Sequence, residues 1–357
     1  MNYQVGAISV GLKTRRRFGM TAPRSAQISL VDTPYYHCIA RCVRRAFLCG
    51  NDRYTGRSFN HRRQWLVDRI RRQARVFGID VCAYAVMGNH YHLVLRVDKQ
   101  FVLELRDVEV LKRWTRLFRG PHLIRRYLDG LSLSGAEMET VGEIATVWRR
   151  RLHDISWFMR CLNEYIARRA NAEDECSGRF WEGRFKSRAL LDDAAVLSCM
   201  AYVDLNPVRA GMARSLSDSD FTSIQERLRD LRVYDRRKRR QQNEKFLLPF
   251  KENDSFRQNE TTIPLAFQGY LGLLESTAYL SRGNTPRSVW RQHEETLHKM
   301  GLSVPQWSAL SLETHSLSLQ AIGGLVRLQS YCRSTGRKWV AGARRLKVIY
   351  GQGLPGP

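Results

Sequence analysis

Alternation of apolar and polar residues identifies the candidate strands of this chain. The aromatic and β-branched segment 35–43, which follows Pro34, predicts a strand. Over residues 79–97 the apolar positions recur at every second residue around a break at Met87-Gly88-Asn89. This pattern predicts two antiparallel strands joined by a tight turn, and one bent strand fits it equally well. Segment 178–191 predicts a further strand with a turn at Gly183.

Apolar residues at helical spacing predict three firm helices. Residues 61–77 predict an amphipathic helix with a strongly basic outer face that stops at Gly78. A second helix is predicted over 154–170 and a third over 192–205, with Asp192 as the N-cap of the third. Pro207 should end this last helix near Asn206, because the residue before a proline disfavours helical geometry.

These elements predict an α+β fold, in which helices back an antiparallel sheet. We expect a basic N-terminal arm over residues 1–30 and a compact domain over 31–225. Glycine-interrupted helical segments over 101–152 are interpreted as a mainly helical insertion in that domain. A basic linker over 226–245, with the run Arg236–Arg240, is expected to lead into a C-terminal region, 246–357, of uncertain fold.

Composition adds an anionic partner to this picture. The 357 residues include 59 Lys and Arg against 34 Asp and Glu, a formal net charge of +25. Such a surplus predicts binding to nucleic acid. Because 43% of the residues are hydrophobic, a disordered basic tail protein is excluded.

Cysteine usage and the N-terminal segment favour a cytoplasmic protein. Eight cysteines occur without any C-x-x-C pair, which disfavours zinc ribbons and thioredoxin-like sites and indicates a reducing compartment. The N-terminus places its basic residues after a mildly apolar stretch, the wrong order for a signal peptide. No segment is typical of a membrane span, so no membrane association is expected.

Two pairs of residues carry candidate chemistry. His90 and His92 are two apart on a predicted strand, so both imidazoles project from one face and can chelate a metal ion if a third ligand is supplied. Tyr202 and Asn206 are four apart at a helix end and share a face. Spacing alone leaves the alternatives open: hydrogen-bonded strand histidines, a core tyrosine and a helix-capping asparagine.

Four segments in order give the sequence a family resemblance. They are YYHCIAR at 35–41, AYAVMGNHYHLV at 83–94, GRFWEGRFKS at 178–187 and YVDLNPVRAG at 202–211. Together they resemble the REP-associated tyrosine transposases, single-tyrosine HUH transposases of bacterial insertion sequences, in which HUH denotes His-hydrophobic-His. The resemblance covers about residues 31–225, with 101–152 as extra material. Gly88 stands where the family usually has proline, and Tyr91 is the residue between the histidines.

The resemblance implies a fold, an activity and a site. The fold would be an HUH-type antiparallel sheet with a ferredoxin-like core. The activity would be DNA transposition, by cleaving and rejoining single-stranded or hairpin-containing DNA through a 5′-phosphotyrosine intermediate. Tyr202 would be the nucleophile, and His90, His92 and Asn206 would bind Mg²⁺ or Mn²⁺, leaving positions open for water and phosphate oxygen.

Basic residues beside aromatic ones are the candidate DNA contacts. In segment 178–188 cations alternate with Phe180, Trp181 and Phe185, a pattern suited to phosphate contacts and base stacking, although the aromatics can equally be core. We expect the aromatics to point inward and the cations to face DNA, with further contacts from the basic helix and from the C-terminal region. The predicted contacts are Arg179, Arg184, Lys186, Arg188, Arg62, Arg69 and Arg72.

Several alternatives stay open at this level. The chain could be a DNA-binding regulator that has lost catalysis, a replication-initiator or relaxase-type nicking enzyme, or a zinc hydrolase, which lacks a cysteine or carboxylate at ligand spacing beside the histidines. A homodimer, with the tyrosine helix docked on either copy's histidines, is a further alternative. No general base is assigned, because Asp204 lies about 200° around the helix from Tyr202.

Overall fold

The computed structural model describes residues 27–43, 48–52, 56–236, 246–251, 261–280, 288–313 and 319–351. This part of the chain contains a five-stranded sheet in the order β2-β3-β1-β4-β5. Its strands are β1 (Tyr35–Arg41), β2 (Ile79–Val86), β3 (His90–Val97), β4 (Lys186–Leu190) and β5 (Ala321–Ile322). The pairs β2–β3, β3–β1 and β1–β4 are antiparallel, whereas β5 pairs in parallel with β4. The predicted α+β fold is confirmed, and segment 79–97 forms two strands rather than one.

Three helices complete the central unit. They are α1 (His61–Ala74), α6 (Ile155–Glu173) and α7 (Asp193–Arg209). The chain order β1-α1-β2-β3-α6-β4, with the sheet order β2-β3-β1-β4, is the ferredoxin-like arrangement. The predicted helical insertion lies between β3 and α6. Its helices are α2 (Lys99–Glu104), α3 (Asp107–Thr115), α4 (His122–Leu128) and α5 (Gly135–Leu152).

The two faces of the sheet carry different helices. Successive strand residues point to opposite sides, so Tyr91 and His92 on β3 face different layers. The Tyr91 hydroxyl donates to Asn163 on α6 at 2.6 Å, and α6 in turn packs against α1. On the other side His92 contacts Asn206 of α7. The histidines and the predicted tyrosine helix therefore share one face, and α1 and α6 cover the other.

Helix α7 continues beyond the end predicted for it. It begins as expected, with the Asp192 carboxylate accepting a hydrogen bond from the Ala195 N–H at 2.8 Å, but it runs through Pro207 to Arg209. Proline removes one hydrogen bond, the one its nitrogen would donate four residues back. Pro207 is buried, so packing of the last turn offsets that loss. The prediction that the helix ends near Asn206 is wrong.

Strand β4 is shorter than predicted. Only Lys186–Leu190 forms a ladder with β1, and the preceding residues form a loop. The Arg179 guanidinium bonds the carbonyl oxygens of Trp181 and Glu182 and thereby closes the loop on itself. The Trp181 indole N–H also donates to the Asn163 carbonyl at 2.9 Å. An isolated antiparallel bridge between Cys42 and Trp181 joins this loop to the end of β1.

The C-terminal region packs against the central unit. Tyr270 donates its hydroxyl proton to the Asp204 carboxylate at 2.7 Å, and the Gly324 N–H donates to Asp192 at 2.8 Å. Its helices are α9 (Phe267–Leu280), α10 (Ser288–Lys299), α11 (Val304–Ser308), α12 (Leu325–Ser334) and α13 (Ala343–Ile349), with a π-helical turn at Ala309–Glu313. None of the described helices is long and apolar enough to cross a membrane.

The segment predicted as a basic linker begins inside helix α8 (Ser223–Arg236). Glu226 of this helix accepts hydrogen bonds from the Tyr84 hydroxyl at 2.7 Å and from Arg71 at 3.0 Å, so the helix is fastened to β2 and α1. Positions 237–245, with most of the basic run, lie outside the described residues, as does the predicted arm over 1–26.

A buried carboxylate joins α7, α8 and α9, and its removal should destabilise the protein strongly. Asp204 accepts hydrogen bonds from the Ser223 hydroxyl at 2.5 Å, the Ile224 N–H at 3.0 Å and the Tyr270 hydroxyl at 2.7 Å. Asp204→Ala leaves two buried donors without an acceptor and the Ser223 hydroxyl with only the Tyr84 carbonyl at 3.3 Å, which should cost roughly 3–5 kcal/mol. The matched control Asp218→Ala, at an exposed site, should cost less than about 0.5 kcal/mol. Urea unfolding followed by circular dichroism measures both; equal midpoints would contradict the assignment.

Candidate metal and nucleophile site

The two histidines of the H-x-H pair lie side by side at the start of β3. Their ring centroids are 4.8 Å apart, and His92 is almost completely buried. His90 Nδ1 lies 2.6 Å from the side-chain oxygen of Asn89, which can only accept. The His90 proton is therefore on Nδ1, and the lone pair on Nε2 is left for another partner.

His92 has the same tautomer, set by partners on both sides. Its Nε2 lies 3.1 Å from the Asn206 amide nitrogen, which can only donate, so Nε2 accepts. Its Nδ1 lies 2.9 Å from His37 Nε2 and therefore donates to that atom. A row of hydrogen bonds thus runs from Asn206 through His92 to His37. His37 has no predicted role, although a histidine inside an apolar strand is a usable signal.

Tyr202 lies against this row of side chains. Its ring meets the His92 ring edge-on with centroids 5.6 Å apart, and the His37 ring at 6.2 Å. The Arg209 guanidinium lies 5.4 Å from the centroid of the Tyr202 ring. Because Tyr202 and Asn206 are one helical turn apart, continuous helix through this segment places both on the histidine face. The structure brings together all four residues predicted for the catalytic and metal roles.

Burial fixes the charge state of the site. It lowers the pKa of His90 to about 4, with the nearby Arg41 charge adding to the effect. Burial also lowers the pKa of His92 well below its ordinary value, so both rings are neutral at neutral pH. The Tyr202 pKa is raised, because burial outweighs the charge of Arg209. The phenol is therefore protonated in the resting protein.

These donors fit a divalent cation. Two neutral imidazoles with Nδ1 protonated, next to an amide, form a set that leaves coordination positions for water or phosphate oxygen. The Asn206 amide presents its nitrogen to His92, so ligation through oxygen requires the amide to rotate. No group of three or more His, Cys, Asp or Glu suited to a metal occurs among the described residues.

No protein family and no curated protein matches this chain. Among solved structures, it is similar to one described as "Structure of the REP associates tyrosine transposase bound to a REP hairpin". The two chains are 14% identical, and the match covers 56% of this chain and 81% of that one, with a TM-score of 0.33. A similarity this distant does not define what the present chain does.

Part of the predicted DNA-contact surface is exposed as expected. Phe180, Trp181 and Phe185 are buried, whereas Arg179, Arg184 and Lys186 are exposed. Arg188 differs, because it is only 7% exposed and its Nε donates to the Leu319 carbonyl at 3.0 Å. Burial lowers its pKa. The prediction that Arg188 contacts DNA is wrong, since a backbone carbonyl of the C-terminal region covers its side chain.

The basic helix also divides into buried and exposed cations. Arg62 is 1% exposed and forms ion pairs with Glu173 and Asp174 at the end of α6. Arg69 is 9% exposed, and its guanidinium lies 4.7 Å from the centroid of the Tyr165 ring. Both positions point toward α6, so the prediction that they contact DNA is wrong. Arg72 is exposed, as predicted.

Proposed function

We propose that this protein is a DNA transposase that cleaves and rejoins single-stranded, hairpin-containing DNA through a covalent bond to Tyr202. The observation that carries the proposal is the row Asn206–His92–His37 with the Tyr202 ring against it. The motif resemblance over residues 31–225 supports the same assignment.

Tyr202 would act as the nucleophile. Its phenol oxygen attacks the phosphorus of a phosphodiester, forming a bond to the 5′ phosphate while the bond to the 3′ oxygen breaks. The phenol gives up its proton and the departing 3′ oxygen takes one, so the products are a 5′-phosphotyrosine and a free 3′ hydroxyl. Asp204 cannot serve as the base, because it is buried and bonded to Ser223 on the far side of α7.

His90, His92 and Asn206 would hold a divalent cation, Mg²⁺ or Mn²⁺, on this face. When bound, it would supply Lewis-acid polarisation of the scissile phosphate. His37 would accept a hydrogen bond from the Nδ1–H of His92. This bond would hold the His92 ring in place and keep its Nε2 unprotonated.

Rejoining follows from the chemistry of the tyrosine ester. A phenol, with a reference pKa of about 10, is a much better leaving group than an alcohol. A 3′ hydroxyl held near the phosphotyrosine can therefore displace Tyr202 and reseal a strand without ATP. The exposed cations Arg179, Arg184 and Lys186 would bind the phosphate backbone of the substrate.

The test is direct detection of the covalent intermediate. The full chain is incubated with a labelled single-stranded hairpin oligonucleotide and Mg²⁺ or Mn²⁺, and products are separated under denaturing conditions. We expect a protein–DNA adduct together with a fragment ending in a 3′ hydroxyl. An added acceptor strand should then be joined, which separates a transposase from an enzyme that only nicks. Binding without any adduct would overturn the proposal in favour of a regulator.

His37 gives a sharper prediction about the site. His37→Leu removes the acceptor for the His92 proton and should weaken Mn²⁺ binding by about 10–100-fold. His37→Gln keeps an acceptor oxygen and should retain more of the affinity. Titration calorimetry with Mn²⁺ measures both, and raised Mn²⁺ should restore cleavage by the Leu variant. Wild-type affinity in both variants would show that His37 does not position His92.

A further inference from the structure

A second concave site lies between α1 and α3. Its cavity has a volume of about 560 Å³, and four of its six lining residues are arginines. The lining residues are Asp68, Arg71, Arg72, Arg75, Val76 and Arg116. Four arginines against one aspartate is an unusual balance for a single cavity, because like charges that converge raise the free energy of the folded state.

The cavity has fixed walls. Arg113 of α3 donates from Nη1 to the carbonyl oxygens of Arg75 at 3.1 Å and Val76 at 3.2 Å, at the C-terminal end of α1. In the other direction, the Arg72 guanidinium donates to the Arg116 carbonyl at the end of α3. These reciprocal bonds hold the two helix ends together and keep the arginines around one space.

Its positive charge is only partly compensated. Arg71 forms an ion pair with Glu226 at 3.0 Å and a longer one with Asp68 at 3.6 Å. Arg72 bonds a neutral carbonyl, which leaves its charge unbalanced. In the described part of the chain no ion pair joins Arg72 or Arg116 to a carboxylate, and both side chains are exposed. An anion in this space would therefore be stabilised.

The location separates this cavity from the tyrosine site. Helix α1 and its partner α6 lie on the sheet face opposite α7, so the cavity and Tyr202 belong to different sides of the sheet. A phosphate bound between α1 and α3 is thus not the phosphate that Tyr202 would attack. Arg116 belongs to the helical insertion, so the cavity also depends on a segment that the family resemblance does not cover.

We propose that this arginine cavity binds the phosphodiester backbone of a DNA segment distinct from the one at Tyr202. The choice of DNA as the polyanion rests on the proposed function. The cavity volume lies within the range of about 300–1,000 Å³ that is typical of sites for whole small molecules, so it has room for more than one phosphate ion. Arg72 and Arg75 are three residues apart and share a side of α1, which suits successive phosphates of one strand.

The test compares two double variants of the full chain with equal changes in net charge. Arg72→Gln with Arg116→Gln removes the cavity charges and keeps hydrogen-bond donors. The matched control, Arg125→Gln with Arg291→Gln, removes two exposed arginines elsewhere, one of them in the insertion. Fluorescence anisotropy with a labelled duplex, in buffer without divalent metal, gives the binding constant over a range of salt concentrations.

The expected result is a change in salt dependence confined to the cavity variant. Loss of two backbone contacts should make the plot of log affinity against log salt shallower by about 1.8. The control should keep the wild-type slope. An unchanged slope in the cavity variant, or an equal change in both, overturns the proposal. The proposal is also overturned if inorganic phosphate, at constant ionic strength, competes as well as unlabelled duplex does. The cavity would then be a small-anion site.

The outcome does not depend on the catalytic assignment. The binding measurement needs neither the Tyr202 hydroxyl nor a metal, so the proposed function can fail in the adduct assay while the salt slope still identifies the cavity.

Discussion

Tyr202→Phe is expected to abolish the covalent protein–DNA adduct while leaving DNA affinity nearly unchanged. The substitution removes only the attacking oxygen and keeps the ring that packs against His92 and His37. Adduct yield should fall by at least about 1,000-fold, since no other group can replace a missing nucleophile. Denaturing electrophoresis of labelled DNA measures the adduct, and anisotropy measures the affinity.

The matched control for this variant is Tyr165→Phe. Tyr165 lies on α6, on the opposite side of the sheet, where its hydroxyl accepts a hydrogen bond from Arg169 at 3.0 Å. We expect wild-type adduct yield from it. An undiminished adduct in Tyr202→Phe would reject the assignment of the nucleophile, and loss of the adduct in Tyr165→Phe would transfer the role to that residue.

Removal of either site histidine should have the second largest effect. His90→Ala and His92→Ala each delete a proposed ligand and should lower Mn²⁺ affinity by more than about 100-fold, with loss of metal-dependent cleavage. Asn206→Ala should be milder, because water can replace one oxygen ligand. The exposed His122→Ala serves as the control and should bind Mn²⁺ normally. Unchanged Mn²⁺ binding by calorimetry in the double His90/His92 variant would reject the proposed metal site.

The sequence could place the four candidate residues on two faces because their spacing is local. Two histidines on alternate strand positions, and two residues one helical turn apart, each define a face without any knowledge of the fold. Contact between these two faces is a long-range property. At the sequence level only the family resemblance implies it. The role of His37 could not be predicted, because its contact with His92 depends on the pairing of β1 with β3, which local periodicity does not encode.

The wrong predictions share one physical cause. A pattern shows that a residue is charged, but not which distant segment covers it. Arg188 is covered by residue 319 and Arg62 by the end of α6, more than 100 positions away in each case. Pro207 is a similar case, because its burial in the folded protein cannot be read from the neighbouring sequence.

The C-terminal region was expected to add phosphate contacts, with local packing as the alternative. Its described part supplies a strand to the sheet, a hydroxyl to Asp204 and a backbone N–H to Asp192. These contacts support the packing role. A DNA-contacting role for its arginines stays a prediction, and a test of it requires surface substitutions in the full chain rather than truncation.

The parallel pair β4–β5 has a consequence for synthesis of the protein on the ribosome. Leu190 leaves the ribosome about 130 residues before its partner Ile322, an interval of roughly 7–26 s at ordinary elongation rates. During that interval the β4 edge is an open template for pairing with another nascent chain. The loop before β1 completes its contacts later still. Asp32 accepts a hydrogen bond from Ser330, and the Gln27 carbonyl accepts one from Tyr331. Chaperone occupancy on nascent chains should therefore persist until this last segment emerges.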